Sequence, residues 1–172
     1  MAITFSDGSG TFAPAVNYPS GGIEVRSLVA ADFNRDGKID LAAGNGGDHT
    51  VATLLGNGNG TFGNPRLTTD AGSPWGLAAT DFNGDGRLDL IAVNVFQDIT
   101  LLPANGDGTF QPRIDFLGGE SPRDIAVADF DGDGRPDLAV ANGDVGHPES
   151  GKNYVSILRT STSPTSRLCG RR

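Results

Sequence analysis

The sequence predicts an all-β protein: β-propeller blades of four antiparallel strands, in three repeats that form a partial propeller or part of a larger ring. Three observations lead there. The segment "DFNRDGKID" from Asp32 returns as "DFNGDGRLD" from Asp81 and "DFDGDGRPD" from Asp129, at steps of 49 and 48 residues. A second landmark keeps the same step, with "GTF" ending at Phe12, Phe62 and Phe110. No segment carries a helical period. Self-similarity at such a period marks solenoids, propellers and arrays.

The third repeat shows how one unit reads. "RDIAVADF" (123–130) is a short apolar run, followed by the Asp-rich loop. "DLAVAN" (137–142) is apolar on both faces, as a strand covered on each side must be. "YVSILR" (154–159) comes next, its place taken by "TLL" (53–55 and 100–102) in the earlier repeats. A Gly/Asn turn ending in "GTF" and a short piece such as "PRLTTD" (65–70) complete the unit. Short runs bounded by Gly, Asn, Asp and Pro are strand and hairpin signals.

Repeat cores fall at about 24–70, 73–116 and 121–159 within a region spanning 1–159. Residues 2–20 match the end of a repeat. They are either the end of a preceding repeat or a strand that closes the C-terminal blade. Three blades do not easily close a ring, so the expectation is either self-association or further blades from a longer chain. Residues 160–172, "TSTSPTSRLCGRR", read as a disordered tail or linker.

The formal charge is −8 and is local: the three loops hold ten of the 21 carboxylates, and without those ten carboxylates the chain would sum to +2. Acidity argues against nucleic acid and against anionic membrane as partners, since both need clustered cations. No apolar run is long enough to insert in a membrane. The opening "MAITFSDGSG" has neither the basic nor the apolar region of a signal peptide. Cys169, the one cysteine, excludes an internal disulfide framework. The 18 Asp against three Glu point to turns and ligand loops, where reach must be short and fixed.

Positions 1, 3, 5 and 9 of the loops are Asp32, Asn34, Asp36, Asp40; Asp81, Asn83, Asp85, Asp89; and Asp129, Asp131, Asp133, Asp137. Alternate spacing in a curled loop turns successive oxygens toward one centre. Position 6 is Gly37, Gly86 or Gly134, which permits the sharp turn. Position 7 (Lys38, Arg87, Arg135) offers its backbone carbonyl. Such an all-oxygen cage suits calcium better than magnesium, which prefers water and strict octahedra. No His or Cys joins it, which disfavours zinc and copper. The expectation is about three Ca²⁺, one per repeat. An EF-hand is excluded because position 12 is Ala43, Ala92 or Val140 and no helices flank the loop. Asx-turns alone are the plainer reading, but they do not require every oxygen position in every copy.

The pattern resembles the FG-GAP/VCBS repeat family, which includes the α-subunit propeller of integrins, over about residues 2–159. The departures are small: one literal Phe-Gly (Phe62-Gly63), and Pro136 at position 8. The resemblance implies a calcium-binding propeller module for extracellular binding or adhesion to a protein or glycan ligand. By the same resemblance the ion is expected to be structural, the chain not to be an enzyme, and its location to be extracellular or cell-surface. The alternatives are a non-catalytic propeller portion of a secreted polysaccharide-active enzyme and an architectural spacer. Glu24, Glu120 and Glu149 form no phased catalytic pair. His49 and His147 read as loop residues. Phe12, Phe62 and Phe110 read as inter-blade core. Trp75 aligns with Arg26 and Arg123 and reads as a rim or core residue before a sugar platform. The longer loop 143–153 is the best recognition element.

Overall fold

The computed structural model describes residues 1–6, 8–94, 98–118, 121–143, 154–160 and 169–170. The described residues contain no helix and fold into antiparallel strands. The first blade is β3 (Val25–Ala31), β4 (Asp40–Asn45), β5 (Thr50–Leu54) and β6 (Arg66–Thr68). The second is β7 (Pro74–Thr80), β8 (Asp89–Asn94), β9 (Asp98–Leu102) and β10 (Ile114–Leu117). The third is β11 (Pro122–Ala128), β12 (Asp137–Asn142), β13 (Tyr154–Arg159) and β14 (Cys169–Gly170). Each blade is a meander in which successive strands pair. A separate two-stranded sheet joins β1 (Ala2–Ile3) to β2 (Val16–Asn17).

The second strand of each blade explains the stacking. Leu41 and Ala43 pack toward Met1, Ile3 and Tyr18, while Ala42 between them packs toward Leu77, Leu90 and Leu102 of the second blade. Leu90 and Ala92 face the first blade, and Ile91 and Val93 face Ile125, Leu138 and Val140 of the third. Because side chains alternate along a strand, an apolar run of this kind presents one hydrophobic set to each neighbour. First strands lie side by side, β3 against β7 and β7 against β11. The Leu77 N–H donates to Ser27 Oγ at 2.9 Å, and Ser73 Oγ donates to the Gly46 carbonyl at 3.0 Å, across the first blade boundary.

The two ends of the stack show what a missing neighbour does. Leu28, Leu77 and Ile125 hold the same place in three repeats, yet Leu28 is 47% exposed where the others are 7% and 9%. The sheet before the first blade has only β1 and β2, so no first strand covers Leu28. Phe62 meets Tyr18 edge-on with ring centroids 5.5 Å apart, and Phe110 meets Phe33 at 5.8 Å. Phe12, expected in an inter-blade core with them, is exposed because the described chain provides no earlier sheet for it. At the other end Val155 and Ile157 are exposed on the outer face of the third blade.

The N-terminal strands do not complete the C-terminal blade. The bridges Ser6–Phe12, Gly56–Phe62 and Ala104–Phe110 mark one recurrent turn. They identify β1 and β2 as the outer hairpin of a preceding blade, packed beside the first one. The fourth place of the third blade goes to β14, where Cys169 pairs with Arg159. Two residues of the tail expected to be unstructured thus form a strand; 161–168 and 171–172 lie outside the described residues.

One glycine is needed for close approach. A Cβ on Gly76 would lie 3.0 Å from Asp124 Cα and 3.0 Å from Val93 Cγ2, where β7 meets β11. Gly76→Ala is expected to lower stability by about 1–3 kcal/mol through overpacking. Gly63→Ala, whose Cβ would meet only the Leu55 carbonyl at 3.6 Å, should be near neutral. Urea unfolding midpoints compare the two; equal midpoints would show that the boundary at Gly76 is not tightly packed.

Candidate metal centres

Each Asp-rich loop joins the first strand of a blade to the second, so all three sit at one end of the stack. Position 1 organises the loop from within. Asp32 Oδ2 accepts the Gly37 N–H at 2.8 Å and its Oδ1 accepts the Asp36 N–H at 3.2 Å. Asp81 accepts from Gly84, Asp85 and Gly86, and Asp129 from Gly132, Asp133 and Gly134, at 2.7 to 3.1 Å. These bonds need a left-handed residue at position 6, where Gly37, Gly86 and Gly134 have φ of 80°, 81° and 84°. There is open space for a Cβ at all three, so the backbone angle, not crowding, selects glycine.

Position 3 also accepts from the loop in the first two copies: Asn34 Oδ1 takes the Asp36 N–H at 3.1 Å, and Asn83 Oδ1 takes the Asp85 N–H at 2.9 Å. Position 5 accepts the N–H of position 7, for Asp36 from Lys38 at 3.0 Å, for Asp85 from Arg87 at 2.9 Å and for Asp133 from Arg135 at 3.0 Å. The position-7 side chains turn back onto the same carboxylates. Lys38 Nζ lies 3.2 Å from Asp36 and Arg87 Nη1 3.6 Å from Asp85, and Arg135 pairs with Asp133. Asp131 faces Arg159 at 3.8 Å.

Position 9 differs in kind. Asp40, Asp89 and Asp137 are fully buried. Each carboxylate ties its own loop to the chain leaving the third strand. Asp40 accepts from Phe33 N–H at 2.9 Å and Gly56 N–H at 2.7 Å. Asp89 accepts from Phe82 at 3.2 Å and Ala104 at 2.8 Å, and Asp137 from Phe130 at 3.1 Å and Thr160 at 3.0 Å. The sequence reading assigned these residues as ligands only and missed this clip.

In the third loop one carboxylate oxygen each from Asp129, Asp131 and Asp137 lies within 4.8 Å of the others. Oxygens around calcium sit at about 2.3–2.6 Å from the ion, so ligands on opposite sides are separated by about 5 Å and this convergence fits. The first two loops have Asn at position 3 in place of Asp131. Electrostatics mark the strain of the arrangement. Burial pushes the Asp89 carboxyl above its ordinary range, and Asp85 and Asp81 add to the rise, against the N–H groups of Ala104 and Phe82. At the rim, the Lys38 N–H draws Asp36 below that range, and the Gly134 N–H does the same for Asp129.

Elsewhere, a cavity of about 440 Å³ between the outer strands of the first two blades is lined by Asp70, Arg113 and Asp115. Arg113 pairs with Asp70 at 3.2 Å and Asp115 at 3.1 Å, so its charges are already matched. His49 has a left-handed backbone in the β4–β5 turn. His147, Glu120, Glu149 and the loop at 144–153 lie outside the described residues. Trp75 has a guanidinium over it from Arg26 at 4.5 Å and another from Arg123 at 4.3 Å.

A family model described as FG-GAP-like repeat matches residues 32–92 and 81–140. Each match begins at the first residue of an Asp loop and runs into the second strand of the next blade. No curated protein matches the chain.

The two kinds of aspartate separate experimentally. Asp40→Ala leaves two buried N–H groups without acceptors, at about 1–3 kcal/mol each, and is expected to destabilise the protein with or without metal. Asp36→Ala is expected to matter only when calcium is present. Chemical denaturation of both variants in chelator and in calcium checks this. An Asp40→Ala effect that vanishes in chelator would contradict the clip.

Proposed function

The chain belongs to the FG-GAP-like repeat family, and on that premise we propose that it is a calcium-stabilised propeller module that binds a ligand outside the cell and performs no chemistry. The observation that carries the calcium reading is the convergence of Asp129, Asp131 and Asp137 oxygens in a loop that recurs, in phase, in each blade. Positions 1, 3, 5 and 9 supply side-chain oxygens, and the carbonyls of Lys38, Arg87 and Arg135 supply the position-7 ligand. About three ions bind, one per repeat. The ion supplies positive charge beside the buried Asp89, whose ionisation burial and the neighbouring Asp85 and Asp81 make costly. It thereby fixes the turn between the first and second strand of each blade.

Location follows from affinity. Calcium modules outside cells bind at about 10⁻⁴–10⁻³ M, so loops of this type fill outside a cell and stay empty in resting cytosol. The protein therefore works in an extracellular or cell-surface setting, as an adhesion or recognition module for a protein or glycan. The exposed Leu28 at one end, with Val155 and Ile157 at the other, favours further blades of the same kind beyond both faces. Those blades come from a longer chain or from a second copy.

Two measurements test these readings. At a calcium concentration 100 times Kd each filled site adds about 2.7 kcal/mol, so thermal unfolding should rise by more than about 10 °C from chelator to saturating calcium. Equimolar magnesium should achieve less. A melting curve indifferent to chelator contradicts the metal reading, and sub-micromolar affinity in calorimetry contradicts the location. Light scattering of this chain over a range of concentrations should show association; a strict monomer throughout contradicts the covered faces.

A further inference from the structure

The first strand of every blade begins with the same irregularity. The pairing register slips between Val25 and Ser27, between Pro74 and Gly76, and between Pro122 and Asp124. The extra residue in each case is Arg26, Trp75 or Arg123. A β-bulge leaves its extra residue out of the ladder and re-aims the side chain. Here the three re-aimed side chains meet. The Arg26 guanidinium carbon lies 4.5 Å from the centre of the Trp75 ring, and that of Arg123 lies 4.3 Å from it. Since β7 runs between β3 and β11, the two cations take opposite faces of the indole. They are therefore about twice that distance apart. Both ring faces are occupied, which leaves no face for a sugar to stack on.

The column stands at the opposite end of the first strands from the Asp loops, roughly 20 Å away along a seven-residue strand. It is a place of opposite sign in an acidic chain. Space is made for it: a Cβ on Gly46 would lie 2.6 Å from Arg26 Cδ and Nε. Among the described residues its polar groups find few partners. A guanidinium has five N–H donors. Arg26 spends one on Glu24 at 2.9 Å, and Arg123 reaches the Gly143 carbonyl at 3.4 Å. Trp75 Nε1 is buried with no partner among the described residues. The ring attracts each cation, but the two cations repel one another, and among the described residues only Glu24, at an exposed edge, offsets one of them.

We propose that the Arg26–Trp75–Arg123 column is a docking site for an extended acidic peptide segment carrying carboxylates two residues apart. Such carboxylates project from one face of a strand about 6.6 Å apart, which lets them reach the two guanidinium groups over the edge of the indole. Glu24 is the resident competitor for Arg26 and gives way to the ligand. This inference rests on the reading of the chain as a binding module and gives that module its ligand class.

Trp75 is the sole tryptophan, so its fluorescence reports on the site directly. The test titrates the whole chain, at saturating calcium, with a short peptide containing Glu-Val-Glu and with its Gln-Val-Gln counterpart at equal ionic strength. Saturable fluorescence change with the acidic peptide and none with the amide is expected. Arg26→Gln and Arg123→Gln should each weaken binding by about tenfold, the scale of one lost charge-assisted hydrogen bond. Glu24→Gln should tighten it. This last variant removes only an exposed group, so it keeps the test decisive if the arginine variants unfold. Equal response to both peptides, unchanged affinity in Glu24→Gln, or a response to an oligouronate without one to the peptide would overturn the proposal. Chelator sensitivity is measured separately, so failure here leaves the calcium reading standing and the reverse also holds.

Discussion

A blade of this protein cannot bury either of its own faces. Leu90 and Ala92 point one way along β8, and Ile91 and Val93 point the other. A four-stranded sheet has no third layer to cover them. Stability must come from neighbours, and every other feature of the architecture follows from that need. The same residue type at the same place is buried when a sheet lies beyond it and exposed when none does, as Leu77 and Leu28 show. Phe33, which Phe110 covers, is buried, while Phe130 in the last blade is exposed. Hydrophobic burial in a repeat array of this kind is a property of the boundary between units.

The aspartate loops solve a second problem created by the first. Stacked sheets leave tight turns at their ends, where backbone N–H groups need acceptors. Position 1 satisfies the turn itself, and position 9 reaches inward to hold the exit of the third strand. Asp40, Asp89 and Asp137 all hold the blade interior through backbone bonds, and Asp137 belongs at the same time to the oxygen cluster at the rim. Anything that fixes the cluster also fixes the hairpin and, through it, the strand that faces the next blade. That is how an ion at the surface can act on stability in the core.

Much of this was legible in the sequence. The period placed the blades, and the two-sided apolar run in "LIAV" identified the strand buried between neighbours. The D-x-[DN]-x-D-G-x-x-D spacing located the loops and their glycines. What was not legible depended on which sheet lies next to which. Phe12 carries the same motif as Phe62 and Phe110, but a motif does not say whether a neighbour is present to cover it. Residues 2–20 matched the end of a repeat equally well in two places. The clip made by position 9 was hidden because a buried carboxylate bonded to backbone and a metal ligand use the same residue at the same spacing. The Arg26–Trp75–Arg123 column was visible only as an alignment of unlike residues, since the register slip that gathers them has no signature of its own.

On the proposed reading the loops are three independent calcium sites, each closed within its own repeat. Native mass spectrometry of this chain at millimolar calcium tests that most directly, because it counts ions per chain. The predicted spectrum saturates at three calcium ions per chain, and at two in Asp85→Ala with the fold retained. Saturation at zero or one, or loss of all ions from the single variant, would contradict it.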